Sequence, residues 1–152
     1  MTSIEFFSPK QTDMGLVHAN IILTNHEDLI DLRRKRISEK EVRKMDVEVL
    51  VDSGASMLAI NETIRTQLGL ETIDTDIAQL ADGSTLELDV VGPIEVRFAN
   101  RRAMVEALVL PGDSEPLLGA IQMEQMDVLI DPRKQLLVVN PKHPIRPQFS
   151  MK

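Results

Sequence analysis

Val49-Leu50-Val51-Asp52-Ser53-Gly54-Ala55-Ser56 is the stretch that decides how this chain is read. An apolar, β-branched strand runs straight into a carboxylate, and a glycine two residues later permits a tight turn. Carboxylates rarely end a core strand without a reason, because burying an unpaired charge is expensive. Ser53 can donate a hydrogen bond from the same turn, and Gly54 lets backbone approach closely. As a lone triplet, Asp-Ser-Gly arises by chance in roughly one chain in 25 of this length and is equally well a β-turn. Position and company raise it: small residues follow, and a second apolar run ending in glycine, Leu117-Leu118-Gly119, stands well downstream.

Working outward, DVEVLV (46–51) forms the strand that leads into Asp52. Further upstream, LVHANIILT (16–24) alternates, with Val17, Ala19, Ile21 and Leu23 on one face and His18, Asn20 and Thr24 on the other. Between them, residues 25–45 break the β pattern. HEDLIDLRRKR predicts a short helix, acidic first and basic last, and Ser38 and Glu41 stand at capping-box spacing ahead of EVRKM. A helical insertion between two strands is expected, with Arg33-Arg34-Lys35-Arg36 as a solvated helix end.

Downstream of the motif, Asn61 is placed to cap a helix, ETIRTQL, that stops at Gly69. A hairpin follows, with Asp82-Gly83 at its tip and a descending arm, TLELDV, that alternates cleanly. Gly92-Pro93 punctuates the chain before Ile94, Val96 and Phe98 alternate with Glu95 and Arg97. ANRR then turns into AMVEALVL. After PGDSEP and Leu117-Leu118-Gly119 come a short helix, AIQMEQM, and a last hairpin, DVLID-PRKQ-LLVV. Many short strands between frequent turn signals predict a mostly β, closed barrel. Residues 1–13 read as a flexible tail, 14–140 as one domain and the proline-rich 141–152 as a loose tail.

Composition narrows the function. The 152 residues carry a formal net charge of -7, which argues against a nucleic-acid partner, since phosphate binding needs a positive surface. There is no cysteine, so disulfides, thiolate zinc sites and cysteine nucleophiles are excluded. With four Phe and no Tyr or Trp, the core is expected from Val, Ile, Leu and Met. No basic start followed by an apolar run opens the sequence, and no stretch approaches the roughly 20 apolar residues of a membrane span. A soluble, cytoplasmic protein without a membrane partner is expected.

The pieces, taken in order, resemble the retropepsin-like aspartic proteases of bacterial and cyanobacterial type. VLVDSGAS is similar to their catalytic-loop motif, IAQLADGSTLELDV falls where they carry a flap, and GPIEVRFANRRAMVEALVLPG resembles the hairpin after it. EPLLGAIQMEQMDVLID resembles their apolar-apolar-Gly segment and following helix, and LVHANIILT would be the first outer strand. The resemblance implies a single-lobe acid-protease fold and a homodimer whose two Asp52 carboxylates activate a water to hydrolyse peptide bonds. It makes Asp52 catalytic, with Ser53, Gly54, Leu117, Leu118 and Gly119 supporting the loop. Ala55, Ser56 and the flap residues Asp82, Gly83 and Ser84 would touch a peptide substrate. No metal or organic cofactor is implied. A catalytically silent module of the same fold, used for peptide binding or assembly, is the alternative.

There are departures. Retroviral members pair an acidic residue two positions after the motif's glycine with an Arg after the second glycine; here those positions hold Ser56 and Ala120. Gly83 is alone at a flap tip where viral flaps have several glycines. The hairpin 127–139 resembles the C-terminal hairpin of the DNA-damage-inducible-protein retropepsin domains, a source of dimer interface. Elsewhere the plain readings are preferred. His18, His26 and His143 have no metal spacing, the eight Met are core filler and tails, and Asp127 and Asp131 belong to a turn and a strand end. Phe6-Phe7 is an apolar pair of the kind this family cleaves, though a frayed end accounts for the segment around it.

Overall fold

In a computed structural model, residues 15–79 and 82–151 are described; the expected N-terminal tail, with Phe6-Phe7, lies outside them. The chain forms β1 (Val17–Asn25), α1 (His26–Arg33), β2 (Lys44–Val51), β3 (Leu58–Asn61), α2 (Glu62–Leu68) and β4 (Thr72–Gln79). β5 (Thr85–Phe98), β6 (Arg101–Leu110), β7 (Leu117–Leu118), α3 (Ala120–Met126), β8 (Val128–Asp131) and β9 (Leu136–Val139) follow. The main sheet runs β1-β2-β7-β3-β6-β5-β4, and β1 pairs with β5 as well. That extra pairing closes six strands into a ring and leaves β4 outside it, held through β5. This is the closed, mostly β barrel with short helices that the strand signals predict, and its strand ring is the retropepsin-like fold that the resemblance implies.

The ring forms because its strands alternate. Val17, Ile21 and Leu23 of β1 and Val47, Val49 and Val51 of β2 are buried and pair antiparallel, Val17 opposite Val51. They join Val91, Ile94 and Val96 of β5 in the main core. Burying each such side chain contributes about 1.5–3 kcal/mol. Thr24 departs from its expected polar face and is buried, because β1 is paired on both sides there, with Lys44 and with Glu95. β5 continues through Gly92-Pro93 as one strand, its register to β6 shifting between Val91 and Ile94.

Local signals place the helices. The Asn61 side chain accepts the Ile64 N–H at 3.0 Å, and Gly69 closes α2 in the left-handed conformation at φ 64°. Asn25 caps α1 in the same way through the Asp28 N–H. The Ser38/Glu41 box forms, with the Ser38 N–H donating to Glu41 at 2.9 Å, but it starts only a single 3-10 turn over Glu39–Glu41. Expected helix over EVRKM gives way because the Arg43 N–H is taken by Asp28 Oδ2 at 3.0 Å, which draws the backbone out toward β2.

Asp127 is more than a turn residue. It ends α3 in a left-handed conformation, φ 54°, and its carboxylate accepts from Asn140 Nδ2 at 3.0 Å and the Gln148 N–H at 3.1 Å, and meets His143 Nδ1 at 2.7 Å. Arg101, fully buried, reaches the same carboxylate and the His143 carbonyl. The proline-rich segment after Asn140, expected as loose chain, makes these contacts with the barrel.

Candidate active site

Asp52 leaves the end of β2 half-buried. Its N–H donates to the Leu118 carbonyl at 3.0 Å, continuing the parallel pairing in which Leu50 faces Leu117 and Val51 faces Leu118. The turn then closes on itself: the Ala55 N–H reaches the Asp52 carbonyl at 3.1 Å, and the Gly54 N–H donates to Asp52 Oδ1 at 2.9 Å. One carboxylate oxygen is thereby fixed in direction. A Cβ at Gly54 would lie 3.2 Å from that oxygen, so the glycine serves close approach of backbone to carboxylate.

The second apolar run holds this turn from behind. Leu117 and Leu118 are fully buried, and Leu117 is also paired with Ala59 of β3. Past them, the Ala120 N–H donates to the Ala55 carbonyl at 2.8 Å and the Ile121 N–H to the Ser56 carbonyl at 3.3 Å. These two backbone bonds tie together the very positions, Ser56 and Ala120, that lack the acid–Arg pair of retroviral members. Gly119 is required by space: a Cβ there would stand 2.8 Å from the Ala55 carbonyl and from Met57 N and O.

In front of the turn lies a cleft of about 400 Å³. It is lined by Gly54 to Met57, Ala59, Leu108, Leu117 and Asp76 to Gln79 of β4, while Asp52 and Ser53 lie outside the lining. The structure thus brings Asp52 to Ser56 together with Leu117 to Gly119. Asp82, Gly83 and Ser84 lie apart from the cleft lining, at the hairpin end. There Asp82 Oδ1 accepts from the Ser84 N–H at 2.8 Å and its hydroxyl at 2.5 Å, and the Ser84 hydroxyl bond holds the Asp82 carboxyl below its ordinary pKa.

The resemblance puts Ile77 to Gln79 of β4 in the flap, but Asp76 beside them carried no expectation. Alternation along TIDTDIAQ was the available signal, since it sets Asp76 on the face of Ala78. Sequence reading also passed over Asp28, which is buried and takes a bidentate hold from Arg43, Nε to Oδ2 and Nη2 to Oδ1, both at 2.9 Å. No short-range spacing announces that pair.

A carboxylate on a braced Asp-Ser-Gly turn beside a cleft in a single-lobe β barrel is the arrangement expected of an aspartic-protease type of site. A family model described as aspartyl protease matches residues 39–129, and the chain belongs to that family. Among solved structures, the retroviral protease-like domain of Ddi1 from Leishmania major is 17% identical, with a TM-score of 0.47, over 64% of this chain and 81% of that one. No curated protein matches the sequence. Among the described residues no helix is long and apolar enough to cross a membrane.

Proposed function

We propose that the protein is a homodimeric aspartic endopeptidase in which Asp52 of each copy meets its equivalent across a two-fold axis. The observation that carries this reading is the braced turn, which fixes one Asp52 oxygen by the Gly54 N–H and the strand end by Leu118. One such motif per chain means a second copy must supply the other carboxylate. Two carboxylates in contact do not both ionise; they share a proton and titrate as a pair.

The ionised carboxylate takes a proton from water as the oxygen adds to the peptide carbonyl carbon, and its protonated partner gives a proton to the carbonyl oxygen. Collapse of this intermediate breaks the C–N bond, the amine leaving with a proton from the dyad. Ser53 braces the two loops across the dimer, and Ala55, Ser56 and the flap residues Asp82, Gly83 and Ser84 contact the substrate. A peptide lies beneath the flaps as an added strand. β4 suits this, being the end strand of the sheet. For the dimer, Leu129 and Leu136 stand exposed on the β8–β9 hairpin, on the side turned from the core. The reading places the enzyme in the cytoplasm.

Incubating wild type and Asp52→Asn with a diverse peptide library from about pH 4 to 7 tests the proposal. Cuts made by wild type alone support it, with a bell-shaped pH dependence set by the pair. A stable dimer that cuts nothing would move the assignment to a silent peptide-binding or assembly module, a reading favoured by the single glycine, Gly83, at the flap end.

A further inference from the structure

The inner face of the β4–β5 hairpin carries a charge that the fold does not use. Residues two apart share one face of a strand, so Asp74, Asp76 and Ala78 lie on one side of β4, opposite Val90, Leu88 and Leu86 of β5. That side is packed along β5 and at Ala78, while Asp74 and Asp76 themselves are exposed. Leu88 and Val90 are buried, and Ala78 packs on the apolar cluster of Ala59 and Leu117 beneath the catalytic turn. Asp76 thus stands exposed at the edge of that packed surface, where it lines the cleft.

Asp76 lines the cleft with Ala55, Met57, Leu108 and Leu117, and no basic residue is part of that lining. Its neighbour Asp89 has Arg65 at 3.5 Å, but Asp76 forms no ion pair among the described residues. From Glu71 to Val91 the chain holds no Lys or Arg at all, so the hairpin is negative without internal compensation. An inward charge on an edge strand also discourages edge-to-edge pairing. That role accounts for a charge anywhere along β4, and not for one in the lining of a cleft shared with Leu108 and Leu117.

We propose that Asp76 is a specificity-determining residue that selects peptides bearing a Lys or Arg side chain close to the cut bond. The adjoining positions take small or apolar residues against Ala55, Met57, Leu108 and Leu117. This rests on the protease reading above and names its substrate class. The basic side chain would pair with Asp76 while its methylene stem lies on Leu108 and Leu117, as long cationic side chains do on apolar surface.

The test scans Lys, Met and Glu through each position flanking the cut bond of a cleaved peptide and compares wild type, Asp76→Asn and Asp76→Lys. Wild type should cut the Lys peptide about 5-fold faster in kcat/KM than the Met peptide at one position, as a partly exposed ion pair allows. Asp76→Asn should bring that ratio close to one, and Asp76→Lys should favour Glu. Cutting with no Lys preference, or a preference that survives Asp76→Asn, overturns the proposal and leaves the protease reading standing. If wild type cuts nothing, the protease reading fails instead, and the same peptides are titrated onto the chain by fluorescence anisotropy. Lys-dependent binding lost in Asp76→Asn then upholds the role of Asp76; equal binding, or none, overturns it.

Discussion

A Cβ on Gly119 would stand 2.8 Å from the backbone nitrogen of Met57, inside the contact distance of packed atoms. The neighbours are backbone of Ala55 and Met57, just past the Asp52 turn, so no side chain can swing away to make room. Gly119→Ala should therefore cost about 1–3 kcal/mol of stability, as overpacking does. It should also displace the Asp52 turn and lower cleavage by about 100-fold. Urea unfolding and peptide turnover read the two effects separately; an alanine variant with wild-type turnover would show that the close approach is not needed.

Asp28, which is buried, and Arg43 link α1 to the start of β2. Asp28→Asn leaves Arg43 without its bidentate acceptor and should destabilise by about 1–3 kcal/mol, toward the lower end because Arg43 is half-exposed. The Arg43 hydrogen bond outweighs burial and holds the Asp28 carboxyl below its ordinary 3.8. A depressed carboxyl stabilises fully above its unfolded value and ceases to as pH falls through the folded one. Wild type should thus lose stability below about pH 3.8 with a slope that Asp28→Asn lacks.

Asp127 is pulled down to about 2, first by the Gln148 N–H and then by Asn140 and His143. Its hold on the C-terminal segment is complete above 3.8 and released as pH falls toward 2. The protection of the Gln148 amide against hydrogen exchange, relative to an unfolded amide at the same pH, should fall over that window. Asp127→Asn should lower it at neutral pH, because the charge that gathers these donors is gone. Slow exchange in the variant would mean the segment is held by other contacts.

Leu129 and Leu136 lie on the outer side of the β8–β9 hairpin, opposite the face on which Val128 and Leu137 are buried. If that side meets a second copy, Leu136→Asp should raise the dimer dissociation constant at least about tenfold, since it sets a desolvated charge in the contact. Cleavage should fall in parallel at low concentration. Sedimentation over a dilution series measures the first, and an unchanged dimer would place the interface elsewhere.

Legibility in the sequence followed the range of the interactions. The Asn61 cap, the Gly69 stop, the alternation of TLELDV and the last hairpin are set within a few residues, and all stand where the pattern puts them. Asp52 with its turn was legible because a charge after β-branched residues is locally anomalous. What escaped depends on residues far apart in the chain. Arg43 was needed to see that Asp28 is buried and that the Ser38 turn stops short. Arg101 and Asp127 were needed to see that the stretch after Asn140 is held. The cleft face of Asp76 was present in the alternation of β4, but it became meaningful only once Ala78 was seen to pack on Leu117.

The parallel pairing of Leu50 with Leu117 and Val51 with Leu118 has a consequence in time. Asp52 is aimed by a carbonyl that the ribosome delivers only after three more ring strands, β3, β5 and β6, have been made. Closing so long a loop is also a late and entropically costly step in folding. A nascent or truncated chain that stops before Leu117 carries the aspartate but not its brace. The proposed chemistry at Asp52 would therefore wait until β7 and the start of α3 are in place.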